Sequence, residues 1–540
     1  MPLRSFAVFL LIHCFACGDD SSASDGGIDT ILDGAAADGP MNDGAADDGG
    51  SDALASPDAS ADGSVADSGA DAGSDGGEPE EVRAFPSAYG GGANSTGGRG
   101  GNVYHVTSLV DDSSEGTFRW ALAQERPATI VFDVSGVIEL SGNLFIEGDD
   151  LTIAGQSAPE GGITVTIPPL NYDFFIKTAT NIVLRYLRVR GQFYGDTAFK
   201  VDPGNFTDGR DYAHDIMLDH MSINWSGLQA LTVRGYDTHH ITFQNGLIAE
   251  SKTGSLFGDT SPDNTGWSRN NTFRNTLFYN ISHRTPNTAS NGVDVYNNVV
   301  YNWLYRLSTV VNGGNVNHFN NYYFLGQRTS LFYQWMSQAP RWEVNGGTNS
   351  DPEVDISIYS AGNIVQDLFT DPEANNPETL WIEHANSAQT ERLDPSFFVD
   401  ERKPMQGRVG DIMTAVEAST FVPSNAGACR YLNADGSVGI YRDAADERYV
   451  TNTINDTPEP YNNSGATDNR HTAIDEQPYA DFLASVSTAP INTRPGDFYV
   501  SNPHIPEPWF RANVPAGEDH NDLAPSGYTW LEEYLNGVDR

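Results

Sequence analysis

The chain has 540 residues and 73 acidic against 30 basic side chains, so its formal net charge of -43 repels polyphosphates and excludes nucleic acid as a partner. Its 54 glycines and a hydrophobic share of only 39% exclude a bundle of Ala- and Leu-rich helices. The three cysteines, Cys14, Cys17 and Cys429, are too few for a disulfide framework.

Met1 to Ala16 combines one positive charge at Arg4 with an apolar run from Phe6 to Ile12 that is too short to span a bilayer, the pattern of a secretory signal. Cys17 directly follows the small residue Ala16, as at a bacterial lipoprotein cleavage site. Residues 1–17 are therefore read as a signal peptide with a lipobox-like end, and Cys17 as a candidate lipidation site. Plain secretion with a spare cysteine is the alternative. Between Asp19 and Glu81 stand fifteen Asp and three Glu among Gly, Ala and Ser, with no Lys or Arg. Such a segment buries too little apolar surface to offset the entropy of ordering, so 18–82 reads as a disordered, self-repelling linker. This predicts a secreted or surface-displayed monomer whose contact with a membrane runs through the lipid on Cys17.

From about Arg83, short runs rich in Val, Ile, Phe, Tyr and Thr predict strands at 129–133, 151–154, 182–189, 215–219, 240–244, 293–296 and 316–319. Many are followed by asparagine and an apolar pair, at Asn245, Asn275, Asn297, Asn320 and Asn363. These stand 30, 22, 23 and 43 residues apart, and the last step reads as two turns. Recurrence of this length marks a solenoid. In a parallel β-helix each coil buries its apolar face on the next, and an asparagine at the bend bonds its neighbours above and below. An antiparallel sandwich or propeller with Asn-rich turns is the alternative. The fold class expected for 83–540 is all-β, a right-handed, single-stranded parallel β-helix, with 326–415 as a loop excursion over a groove.

Several motifs in order strengthen this reading: Ala84-Phe-Pro-Ser-Ala-Tyr-Gly90, Thr96-Gly-Gly-Arg-Gly-Gly101, Val103-Tyr-His-Val-Thr107, Gly116-Thr-Phe-Arg119 and Ile130-Val-Phe-Asp-Val-Ser-Gly136. Leu151-Thr-Ile-Ala-Gly-Gln156, Asn181-Ile-Val-Leu-Arg-Tyr-Leu-Arg-Val-Arg190 and Ile216-Met-Leu-Asp-His220 continue the series, and Arg442-Asp-Ala-Ala-Asp446 and Gly527-Tyr-Thr-Trp-Leu-Glu-Glu-Tyr-Leu-Asn536 close it. Together they resemble the pectate lyases of polysaccharide lyase family one, bacterial members included. The resemblance implies cleavage of pectate or a related polyuronate by β-elimination, with an arginine base and Ca²⁺ held by carboxylates.

Ser282-His-Arg-Thr-Pro-Asn287 resembles the family's Arg-X-Pro motif and makes Arg284 the candidate base. A second arginine usually follows the proline; here Asn287, Thr288 and Ala289 stand there, which weakens the expected grip on a carboxylate. The resemblance places Arg234 and Lys252 as cations that clamp the substrate carboxylate. It places the calcium ligands on or near Thr197, Leu228 and Thr232, with Asp196 one residue from the first and no carboxylate between Asp219 and Asp237. A hard dication wants six or more oxygens with carboxylates among them, so the calcium site reads as degraded.

Asp219-His220 reads as a structural hydrogen-bonding pair, and His239-His240 alone is a weak metal pattern. Trp225, Trp267, Tyr279, Trp303, Tyr305, Tyr322 and Tyr323 could stack on sugars, but internal aromatic ladders are the commoner use. Two other functions stay open: a β-helix that binds an acidic glycan without cutting it, and a β-helical glycoside hydrolase, which needs clustered carboxylates.

Overall fold

The computed structural model describes residues 82–168, 172–191, 197–204, 212–258, 268–303, 307–311, 314–326, 342–345, 357–366, 381–383, 395–458, 481, 484–486 and 490–539. The predicted signal peptide, the acidic stretch up to residue 81, Cys17, Asp196, Trp267 and Tyr305 lie outside them. The chain divides into Met1–Gly76 and Gly77–Arg540, and the architecture below is that of the second unit.

Strands recur in threes. One coil runs through Ala213–Asp219, Ser222–Asn224 and Gln229–Val233, the next through Thr238–Gln244, Leu247–Ala249 and Thr253–Gly258, and the third through Ser268–Arg274, Leu277–Tyr279 and Asn287–Ala289. Each strand pairs in parallel with its counterpart one coil on, which builds walls one, two and three of ten, nine and nine strands among the described residues. This is the parallel β-helix that the recurrence predicts.

Parallel stacking sets like on like: Ile216 pairs with Ile241 and Leu218 with Phe243, all wholly buried. Phe243, Phe273 and Phe278 continue inside as a ring stack with centroids 5.2 and 5.4 Å apart. Burying each such side chain contributes about 1.5–3 kcal/mol. The aromatics named from the sequence follow the same rule: Trp225, Tyr279, Trp303 and Tyr323 are buried.

The corners explain the asparagines. Asp215, His240 and Asn270 form one row with left-handed φ, and His220, Asn245, Asn275, Asn297 and Asn320 form a second. Asn and Asp adopt this conformation more readily than other residues with side chains. Beside the second row a different set laces the coils: Thr276 N donates to Asn298 Oδ1 (3.0 Å), Asn298 N to Asn321 Oδ1 (2.9 Å) and Asn321 N to Asn363 Oδ1 (3.0 Å). In each Asn-Asn pair the first residue bends the chain and the second joins neighbouring coils. The step from Asn320 to Asn363 is one turn, not two, because Ser357–Ala361 pairs directly with Asn315–Phe319. Its extra length falls in the two connections on either side of Trp342–Asn345, and since Trp342–Asn345, Ser357–Ala361, Ile364–Val365 and Trp381–Glu383 all continue the walls, 326–415 is not the single loop excursion expected from the sequence.

The glycine-rich N-terminal motif forms a strap across wall one. Gly91, Gly92 and Gly98 donate backbone N–H groups to the hydroxyls of Thr272, Thr242 and Thr152 at 3.2, 2.9 and 3.0 Å. A Cβ on Gly98 would stand 1.8 Å from the carbonyl oxygen of Ala128, so only glycine lets the strap lie this close.

On the flank, Ala415–Asn425 and Ala444–Asn455 are helices whose Ala418, Val422 and Tyr449 cover Leu277, Tyr279 and Tyr301 of wall two. Buried arginines hold this cover. Arg190 meets Asp443 at 2.7 Å and Asp446 at 2.9 Å, Arg188 donates to the Ala428 carbonyl at 2.6 Å, and Arg185 pairs with Asp219 at 2.9 Å and Asp539 at 2.6 Å. Arg99 of the strap likewise meets Glu532 at 2.8 Å. Asp219 also accepts from Gln244 and Asn245, each at 2.9 Å. Burial alone would raise its pKa, but His220 and Arg185 outweigh that and hold it well below the usual carboxylate range. The Asp219-His220 pair is thus a structural hub.

Two predictions follow from these buried charges. Arg190→Ala removes the guanidinium that meets buried Asp443 and leaves Asp446 with the more distant Arg188, 3.6 Å away, and is expected to cost about 3–5 kcal/mol in urea unfolding. His318 lies wholly inside the coil, 2.9 Å from the Tyr323 hydroxyl, and burial pushes its pKa down to about 3. The unfolded chain takes up this proton near pH 6.5, whereas the native coil does not until about pH 3. Its contribution is therefore complete above about pH 6.5 and is lost on acidification. His318→Gln is expected to flatten the pH dependence of unfolding across this window by up to about 1.4 kcal/mol per pH unit.

Candidate active site

The sequence-predicted cations gather along wall three. Lys252 and Arg284 occupy the same corner on successive coils, just before the strands Thr253–Gly258 and Asn287–Ala289. The two turns are bonded directly: Gly254 N donates to the His283 carbonyl at 2.9 Å, and Ser255 N to the Arg284 carbonyl at 2.8 Å. A Cβ on Gly254 would stand 2.3 Å from that Arg284 oxygen, so the glycine is what lets the Arg284 turn settle on the coil below. Arg284 itself has a φ of 66°, a left-handed conformation uncommon for a long side chain and found preferentially where function is built. A cis peptide joins Thr285 to Pro286.

Arg234 lies at the opposite end of the wall, just past Gln229–Val233, and its Nε is 2.9 Å from Asp202 of the preceding coil. The structure thus brings Lys252 and Arg284 to one corner and holds Arg234 by an internal carboxylate at the other edge of the same wall. Lys200, to which the motifs assign no role, repeats the pattern at 2.8 Å from Asp173. Its neighbours Phe199 and Val201 are wholly buried, so it faces outward, and it pairs in register with Thr232. Strand alternation could have flagged Lys200; the acids that hold Lys200 and Arg234 sit on other coils.

The positions assigned to calcium meet as a neutral cluster. Thr197 Oγ1 donates to Gln229 Oε1 at 3.2 Å and lies 3.4 Å from Thr232 Oγ1. Leu228 contributes its main chain, accepting from Thr253 N at 2.9 Å. Two hydroxyls and an amide already bonded to one another are a poor donor set for a hard dication, so among the described residues this cluster does not fit a family-type calcium cage. Its chemistry is that of a neutral, buried hydrogen-bonded floor to this part of wall three.

No family model matches this chain. The probable pectate lyase C of Aspergillus flavus is 29% identical over 465 residues, covering 84% of this chain and 94% of that protein. The protein of the same description from Emericella nidulans is 30% identical over 356 residues, covering 64% of this chain and 72% of the relative. Among solved structures, the thermostable pectate lyase PL 47 aligns with a TM-score of 0.44 at 14% identity, over 65% of this chain and 99% of that one. Sequence identity sustained over most of the length of such relatives makes this chain a member of the pectate lyase family.

Proposed function

We propose that the protein cleaves pectate or a related polyuronate by β-elimination with Arg284 as the base. The observation that carries this is the corner where Arg284 and Lys252 stand on directly bonded turns; the pectate lyase relatives supply the substrate class. The base removes the proton on C5 of the uronate. The electron pair forms the C4–C5 double bond, the C4–O bond breaks, and the departing oxygen takes a proton from solvent. Negative charge gathers on the neighbouring carboxylate as the C5 proton leaves, and a cation held against it lowers the barrier. We assign this role to Lys252, whose turn is bonded to that of Arg284, and a second carboxylate contact to Arg234, which would have to be shared with Asp202. An arginine is ordinarily locked in its charged form, with a pKa above about 12. The base role therefore requires Arg284 to give up that proton transiently.

The neutral Thr197, Gln229 and Thr232 cluster supports elimination driven by side-chain cations, without a calcium cage at those positions. It is also the observation that favours a second reading, an acidic-glycan binder that does not cut. The Arg4 to Ile12 run and Cys17 support export with a bacterial-type lipid anchor, the acidic linker setting a monomeric catalytic unit away from the membrane.

Elimination leaves a conjugated double bond, so ultraviolet absorbance on polygalacturonate reports it directly. Reducing ends without the chromophore would mean hydrolysis, and binding without product would mean the non-cutting reading. Arg284→Asn keeps a residue tolerant of left-handed φ and is expected to lower the rate about 10²–10⁴-fold. An unchanged rate removes Arg284 from catalysis. Equal wild-type rates with and without added calcium are expected, whereas Thr197→Asp with Thr232→Asp should make the rate rise with calcium; a wild-type rate that depends on added calcium would contradict the neutral-floor assignment.

A further inference from the structure

We propose that the outer face of wall one carries a binding site for one divalent transition-metal ion of the Zn²⁺ class, with His214, His239 and Asp237 as ligands. The site is independent of the lyase reading, since it stands on a different wall from Arg284 and Lys252. His214 and His239 occupy paired positions on neighbouring strands, and their rings stack at 4.5 Å with 5° between planes. Asp237 sits just before the second strand, its Oδ1 3.5 Å from His239 Nε2. One ligand atom from each residue falls within a mutual distance of 4.8 Å.

Stacked histidines alone could be another ladder of like residues. The surroundings argue for more. His214 Nδ1 is engaged by Asp215 Oδ2 at 2.7 Å and Thr180 Oγ1 at 2.9 Å, and His239 Nδ1 faces His240 Nδ1 at 3.1 Å. Asp215 reaches His240 as well, at 3.3 Å. With Nδ1 of both rings occupied, Nε2 is left for an ion, and a carboxylate behind the imidazole is the arrangement that orients metal-binding histidines.

Two imidazoles and a carboxylate select borderline ions such as Zn²⁺, Co²⁺ or Ni²⁺ over Ca²⁺, and water completes the shell. Bonds of about 2.0–2.1 Å require the donor atoms to close by roughly 1 Å. The side chains of His214, His239 and Asp237 are 26%, 14% and 36% exposed, which gives them room to move and gives an ion a path in. Arg269 competes for Asp237 Oδ1 at 3.0 Å. The strap passes beside the cluster, Gly91 lying against His240 and Asn270, so a bound ion would fasten two coils where the strap crosses them.

The test is calorimetric titration of ZnCl₂ into tag-free, chelator-stripped full-length protein. The expected result is one saturable site per chain, weakened at least about tenfold in His214→Ala and in His239→Ala and about 10–100-fold in Asp215→Asn, which acts by positioning. Arg269→Gln should bind more tightly, an outcome that a merely structural cluster would not give. Absence of saturable binding, or undiminished wild-type affinity in both histidine variants, overturns the proposal. Should a variant misfold, zinc-edge X-ray absorption on the wild-type protein decides: two imidazole nitrogens support the site, and an all-oxygen shell overturns it.

Discussion

Coil-to-coil hydrogen bonding in strict register is the constraint on which the rest of this structure depends. Each strand bonds to its counterpart one turn away, so side chains far apart in sequence become neighbours in a row. The row through Ile216 and Ile241 becomes core, the row through His214 and His239 a stack of imidazoles, and the row through Lys200 and Thr232 the outer surface of wall three. The Lys252 and Arg284 turns meet for the same reason: the main chain between them is bonded at Gly254 and Ser255. A residue's chemistry here is decided by its height and corner more than by its sequence neighbours.

Much of the fold was legible because the solenoid repeats its punctuation. Asparagines that tolerate a left-handed bend must recur once per coil, and Asn245, Asn275, Asn297 and Asn320 do. The exception is instructive: the gap to Asn363 looked like two turns because long connections lengthen one turn without altering its pairing. The candidate site residues could be named from the sequence, but their contacts could not. Arg284 stood out by its proline motif, and Arg234 and Lys252 by family position. The pairing of Arg234 with Asp202, and the meeting of Thr197 with Gln229 and Thr232, were hidden because coils of unequal length give no count from which register can be read. The pairing of His214 with His239 was hidden for the same reason.

The family motifs also acquire a physical meaning. The run ending in Arg190 and the run Arg442 to Asp446 are two halves of one buried ionic seam, and the glycine motif holding Arg99 is bound by Glu532 of the closing helix. Motifs at opposite ends of the chain thus persist as partners. In a protein this acidic, several of the few cations are committed to holding the fold together.

That seam bears on how the molecule is completed. The carboxylates that neutralise Arg190, and the second that meets Arg185, come from residues 443–539, long after the coil that carries the arginines has been synthesised. Until those residues arrive, the early turns hold guanidinium groups in want of their counter-ions, and their side is open to water. The seam therefore closes only once Asp443, Asp446 and finally Asp539 are in place, so a chain lacking its last residues would leave that edge unfastened.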